Sequence, residues 1–432
     1  MQYTHRHLTA RVERALKTSR VVNIVGPRQS GKTTLVRDMV KTAYYATMDD
    51  SAVLAAFETD PYGQLMALSD QLSDTDQPIA LDEIQRLPEI TLALKRIVDE
   101  NRRPGQFLLT GSSDIFTTAA AYDSLAGRVQ TLTLRPFSAS EIKGCEPFRL
   151  LDAAEKNHND LTIQLPRPLP CDRTIAIDLV VRGGFPEMFH LDSRDRMERY
   201  ESYVDSIVER DVAPISSIRK PDVLRRLIDQ LASRTAEELT VSKLCQVLNT
   251  RKETVNDYID ILSRLGIVRL LGAWTSSGAK REIKSPKLHF LDTGCASALR
   301  GEDEGSFHPG ADPSAFGHLL ESFVFSELEK SLPYASKRWR LYHWRSGRQE
   351  IDIIAEAPGR RLALFEVKAS TSLSLEDFRH MSRFKSEGPG RAYRTHAFCV
   401  YLGSDVLSFG PDLTAIPLSL FWSYRNRGGL PS

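Results

Sequence analysis

An apolar run at residues 21–25 passes directly into Gly26-Pro27-Arg28-Gln29-Ser30-Gly31-Lys32-Thr33, and a helix-forming stretch, 32–41, follows. The eight residues satisfy G-x-x-x-x-G-K-[ST] in full, with the strand before and the helix after that the motif requires. No other feature of the chain restricts its fold so tightly. The residue types follow from the chemistry. Gly26 and Gly31 let the backbone curl until its N–H groups face a phosphate chain, and the following helix adds its positive end. Lys32 sets a charge against the β- and γ-phosphates. The Thr33 hydroxyl is a ligand for Mg²⁺. Pro27, Arg28, Gln29, Ser30 and Thr34 complete the nucleotide-binding set. The expected ligand is ATP with Mg²⁺, and the expected reaction is its hydrolysis.

Such a loop needs an acidic partner at the end of another strand. Ile79-Ala80-Leu81-Asp82-Glu83 supplies one. Asp82 is expected in the magnesium shell and Glu83 as general base to the attacking water. A third apolar run, 107–109, ends in Thr110-Gly111-Ser112-Ser113. Thr110 and Ser112 are candidates to sense the γ-phosphate, against the plainer reading of a capped turn. Arg128, in Ser124-Leu125-Ala126-Gly127-Arg128, is a candidate arginine finger, in cis or in trans, or else a solvated surface arginine. The alternation of apolar strands with helices implies a mostly parallel sheet covered by helices.

Residues 26–35, Leu81-Asp82-Glu83-Ile84-Gln85-Arg86, Leu109 to Ser113 and Leu125 to Arg128 together resemble one family. It is the prokaryotic AAA+-type P-loop ATPases fused to a conserved C-terminal domain of unknown function. Leu134-Arg135-Pro136-Phe137-Ser138, Gly183-Gly184-Phe185-Pro186-Glu187 and Glu209-Arg210-Asp211 resemble further marks of it. The resemblance implies an ATPase module, a winged-helix segment and a nuclease-like C-terminal fold. The expected architecture is α/β. An ATPase core (1–145) leads through a linker or insertion (146–172), with three prolines in 165–170, into a helical segment (173–235). A winged helix-turn-helix (236–295) and a restriction-endonuclease-like α/β domain (310–425) follow.

In the middle segment, Leu244, Leu248, Val255, Ile259, Leu262 and Leu265 are spaced for a helix pair with a shared core. Asn249-Thr250-Arg251-Lys252 carries charge where a recognition helix would begin. Lys280, Arg281, Lys284 and Lys287 form a candidate basic wing. Glu253, Asp257 and Asp260 dilute that charge, and modules of this kind also serve as protein contacts. DNA and protein partners therefore both stay open.

Farther on, Glu321 falls on a helix, Asp352 on a strand, and Glu366 with Lys368 at the end of another strand. Alternation points Glu366 and Lys368 to one face, and the stretch from Asp352 to Glu366 is short enough for a hairpin. Two or three carboxylates so gathered could hold Mg²⁺ or Mn²⁺, with Asp352 and Glu366 as ligands and Lys368 positioning a nucleophile. The set resembles the PD-(D/E)xK nuclease core, with Glu350-Ile351 standing where the pattern has its proline. The alternative is a relic fold whose carboxylates form ion pairs, which makes the chain an ATP-dependent DNA- or protein-binding switch.

The formal net charge of +1 excludes a global basic surface, so any nucleic-acid contact must be a local patch. Five cysteines with no C-x-x-C pair argue against a zinc site or a disulfide framework. The polar start of the sequence is unlike a secretory signal, and no run approaches the length of a membrane span. A cytoplasmic protein with no membrane partner is expected, either alone, as a homo-oligomer or with a protein partner.

Overall fold

The structure is a computed structural model that describes residues 3–111, 125, 127–156, 165–212, 221–276, 284–308, 310 and 313–425. It divides into two compact units: Met1–Pro136 with Arg264–Gly266, and Phe137–Ser263 with Ile267–Ser432. The division falls ahead of residue 145, and everything after Pro136 except that short return packs as one body.

The first unit is built on five parallel strands, β1 (Val21–Val25), β2 (Tyr44–Thr47), β3 (Ile79–Asp82), β4 (Phe107–Gly111) and β5 (Val129–Thr133), in the order β2-β3-β4-β1-β5. The strands read as unbroken apolar runs because both faces are covered. Successive residues part to opposite cores. Val21, Leu81 and Leu109 pack with Leu94 and Ile97 of helix Ile90–Glu100, whereas Val22, Ala80 and Leu108 pack with Val12 and Leu35. The expected helix 32–41 is shorter than anticipated and changes character. One α-turn, Lys32–Thr34, widens into a π-helical stretch, Leu35–Met39, which Val40 ends in an extended conformation.

The second unit opens with helices that include Arg173–Arg182, Ser193–Ser206 and Pro221–Ala232. Gly184, in the Gly-Gly-Phe-Pro-Glu stretch, donates its N–H to Asp292 Oδ2 at 2.7 Å. The other oxygen of Asp292 accepts from Tyr200 Oη at 2.8 Å and caps helix Thr293–Leu299, so this acidic turn is structural. A two-residue strand, β6 (Glu237–Glu238), comes before helices Val241–Leu248 and Lys252–Arg264. An antiparallel pair follows them, β7 (Val268–Leu271) and β8 (Lys287–Phe290), and β6 adds to the other side of β8.

After helix Pro313–Ser331 comes a mixed six-stranded sheet. Its strands are β9 (Arg340–Ser346), β10 (Gln349–Ala357), β11 (Arg361–Val367), β12 (Arg394–Tyr401), β13 (Leu407–Gly410) and β14 (Leu413–Pro417), ordered β13-β14-β12-β11-β10-β9. β10 and β11 form the expected antiparallel hairpin, and β11 runs parallel to β12. The pairing of β10 with β9 shifts register between Ile351 and Ile354. Asp352 sits inside that irregularity, a device that re-aims a side chain. Trp274, Trp344, Ile354, Leu364 and Phe384 fill the core beneath the sheet.

Candidate functional site

The loop after β1 is held from three sides. A Cβ added to Gly26 would lie 2.0 Å from the carbonyl oxygen of Leu134, so only glycine allows that approach. Gly31 takes φ +93° and Gln29 φ +59°, left-handed backbone of the kind from which anion-binding nests are built. Arg6 is buried and donates from Nη1 to the Ser30 carbonyl at 3.2 Å and from Nη2 to the Arg135 carbonyl. Lys32 folds back into the loop, donating to the carbonyls of Gly26 at 3.0 Å and Pro27 at 2.9 Å.

The sheet order explains the rest of the site. β4 lies between β1 and β3, so its tip stands between the loop and Asp82. Asp82 is buried, and its described partners are three hydroxyls. Thr33 Oγ1 and Tyr45 Oη each donate to Oδ2 at 2.8 Å, and Thr110 Oγ1 donates to Oδ1. Burial and the contact with Asp82 hold the Tyr45 phenol above its ordinary range. Glu83 adopts a left-handed backbone, φ +56°, uncommon for a residue with a side chain. Its N–H donates to Thr110 Oγ1 at 3.2 Å, and Gln85 Nε2 donates to its carboxylate. A buried carboxylate met by hydroxyls invites a cation, and Thr33 with Asp82 is a hard oxygen donor pair. These residues fit a magnesium ion.

Arg128 is elsewhere. Val129 pairs with Val21, at the opposite end of β1 from the loop, which is roughly 16 Å away at about 3.3 Å per strand residue. There Arg128 grips Asp99, Nε to Oδ1 at 2.5 Å and Nη2 to Oδ2 at 2.8 Å, with Arg20 Nη1 3.5 Å from the same carboxylate. A finger acting in cis is thereby corrected: strand direction carries Arg128 away from its own chain's phosphates. Ser112 lies outside the described residues, as do Lys280 and Arg281 of the candidate wing.

In the second unit, Glu321, Asp352, Glu366 and Lys368 do converge. Lys368 Nζ is 2.9 Å from Glu366 Oε1, and Asp352 Oδ2 accepts the Val367 N–H at 2.9 Å. The centre of the cluster is Lys287, which is 2% exposed and not part of a basic wing. Its Nζ lies 2.8 Å from Glu321 Oε1, 2.7 Å from Glu350 Oε1 and 3.8 Å from Asp352 Oδ1. Burial and Asp352 raise the Glu321 carboxyl above its ordinary range, and the same two causes push Glu366 up to about 8. Burial opposes the charge on Lys287, but Glu321, Asp352 and Glu350 together raise its affinity for the proton. Among the described residues no group of three or more His, Cys, Asp or Glu is arranged to hold a metal ion. The donor set therefore does not fit the expected divalent cation, because an ammonium group already stands among three of the carboxylates.

Four contributors were not anticipated: Arg6, Tyr45, Lys287 and Glu350. Glu350 alone had a local signal, since it lies two residues from Asp352 on the same strand.

Residues 18–143 match the AAA domain family. Residues 173–306 and 316–421 match two families each described as a domain of unknown function, DUF8612 and DUF4143. Uncharacterized proteins of Mycobacterium bovis and Mycobacterium tuberculosis are each 30% identical over 378 residues, spanning 87% of this chain and 76% of theirs. The chain belongs to the same family as these proteins. Its first domain is an AAA-type P-loop ATPase domain that binds ATP. An uncharacterized protein of Methanocaldococcus jannaschii is 24% identical, over 74% of this chain and 68% of its own. Among solved structures, a Walker-type ATPase of Pyrococcus abyssi aligns with 69% of the chain and 96% of its own, at 14% identity and a TM-score of 0.42. A Bacillus subtilis DNA clamp loader delta protein aligns with 74% of the chain and 99% of its own, at 12% identity and a TM-score of 0.25. Among the described residues of this family member, no helix is long and apolar enough to cross a membrane.

Proposed function

We propose that the chain hydrolyses ATP with Mg²⁺, using Glu83 as general base and Thr110 as the group that ties the base to the cation site. One observation carries the reading: Thr33, Asp82, Glu83 and Thr110, from three separate segments, join in one hydrogen-bonded network beside Lys32. Thr33 and Asp82 would hold the magnesium ion, which neutralises charge on the β- and γ-phosphate oxygens when bound. Lys32 exchanges the carbonyls of Gly26 and Pro27 for those oxygens. The loop's N–H groups bind the remaining phosphate oxygens. Glu83 takes a proton from the water that attacks the γ-phosphorus, and the bond to the β-phosphate oxygen breaks to release ADP. If Arg128 acts as an arginine finger, it does so in trans, in a homo-oligomer.

The test is binding of a fluorescent ATP analogue. The parent should bind it in the presence of Mg²⁺, and Lys32→Ala should lose at least tenfold in affinity. Equal affinity in the two proteins would overturn the assignment of the site.

A second reading concerns the helix pair and its hairpin. Helices Val241–Leu248 and Lys252–Arg264 followed by β7 and β8 favour a winged-helix module, and Arg251 and Lys252 are exposed at the start of its second helix. We infer that this surface lets the ATPase engage DNA, within a switch whose restriction-endonuclease-like domain need not cut. Changing both basic side chains to alanine should flatten the salt dependence of duplex binding by about two units of slope. Unchanged binding would leave a protein partner as the occupant of this surface.

A further inference from the structure

The cluster in the second unit is ringed by carboxylates from three elements: Glu321 from helix Pro313–Ser331, Glu350 and Asp352 from β10, and Glu366 from β11. Among the described residues three cations answer them, the outermost being Arg345, whose Nη1 lies 4.0 Å from Glu350 Oε2. Lys368 pairs with Glu366 at the edge, and Lys287 pairs with Glu321 and Glu350 at the centre, close to Asp352. Lys287 is not a surface side chain that has wandered in. It belongs to β8, all four residues of which are buried, and β8 is pinned between β6 and β7. Its neighbours cannot substitute for it. His289 and His343 are both buried, and burial together with the nearby ammonium keeps their rings neutral.

We propose that the Lys287 ammonium takes the place of a divalent cation in this carboxylate cluster, so that the domain carries a lysine-centred ionic core and binds no metal there while Lys287 is present. A lysine from β8 thus ties the six-stranded sheet and helix Pro313–Ser331 to the small sheet that precedes them, all within the second unit. This ionic core stands apart from the ATPase reading, because the nucleotide loop belongs to the first unit.

The experiment is a Mn²⁺ titration of the full chain without nucleotide, followed by electron paramagnetic resonance of the free ion. The parent and Asp352→Asn should take up the same amount of Mn²⁺. Lys287→Ala should gain one site, and the double variant Lys287→Ala with Asp352→Asn should lose it again. A parent site abolished by Asp352→Asn overturns the proposal, as does a folded Lys287→Ala that gains no Mn²⁺. If Lys287→Ala fails to fold, the comparison of the parent with Asp352→Asn still decides the matter. ATP binding by all of these variants should be unchanged, which separates this outcome from any failure at the nucleotide loop.

Discussion

A methyl group at position 26 would lie 2.0 Å from the Leu134 carbonyl oxygen, well inside contact distance. Gly26→Ala must therefore move the loop or the strand end that follows β5. The expected outcome is a tenfold or greater loss of ATP affinity with the far-ultraviolet circular dichroism spectrum retained. An unchanged affinity would mean the loop tolerates displacement. This part of the site was legible in the sequence, because each residue type in the loop is required locally: glycine by the backbone, lysine and threonine by the phosphate and its cation. Arg6 was not legible. It braces the Ser30 carbonyl from 24 residues away, and nothing in its own surroundings announces that contact. Lys287 was misread for the same reason. Its charge suggested solvent, and only the tertiary fold brings Glu321 and Glu350 to meet it.

Apolar runs located the strands that carry the nucleotide site. The apolar runs at 21–25, 79–81 and 107–109 are the central strands of a sheet covered on both faces, and the β10–β11 hairpin follows from spacing alone. The order β2-β3-β4-β1-β5 was not available from the sequence, since parallel strands are joined through helices and their order depends on packing. That order decides that Thr110 can touch Asp82, and the shared direction of β1 and β5 keeps Arg128 from the loop. The buried strands of the second unit also carry a pH dependence. His343 on β9 donates from Nε2 to the Ser285 carbonyl at 3.1 Å, and burial followed by the charge on Lys287 lowers its pKa from 6.5 to about 4. Protonation then favours the unfolded chain, whose histidine titrates near 6.5. The stability that His343 contributes is fully present above that pH, and up to about 3 kcal/mol of it is lost as the pH falls toward 4. Glu366 gives the opposite slope, because its raised carboxyl favours the folded chain as the pH falls below about 8. Urea unfolding at several pH values checks the His343 share: the stability difference between the parent and His343→Gln should change by that amount between about pH 6.5 and pH 4. An equal dependence in the two proteins would assign it to other groups.

At the scale of the whole molecule, the two units bear different kinds of chemistry. The first holds loop, carboxylate and hydroxyl groups in a network that a nucleotide and its cation would rearrange. The second gathers four carboxylates, Glu321, Glu350, Asp352 and Glu366, and sets its own lysines among them. Sequence spacing alone marked both as candidate metal sites, because spacing places carboxylates and is blind to the cation that arrives from another strand. In the proposed mechanism Glu83 activates water at a site which Lys32 and Thr33 help to form. The most direct measurement is steady-state ATP hydrolysis with Mg²⁺ by the parent, Lys32→Ala and Glu83→Gln, beside their nucleotide affinities. The expected result is turnover in the parent and none in Lys32→Ala. Glu83→Gln should still bind ATP while its turnover falls by roughly 10²–10⁴. Turnover in Glu83→Gln equal to that of the parent would contradict the account.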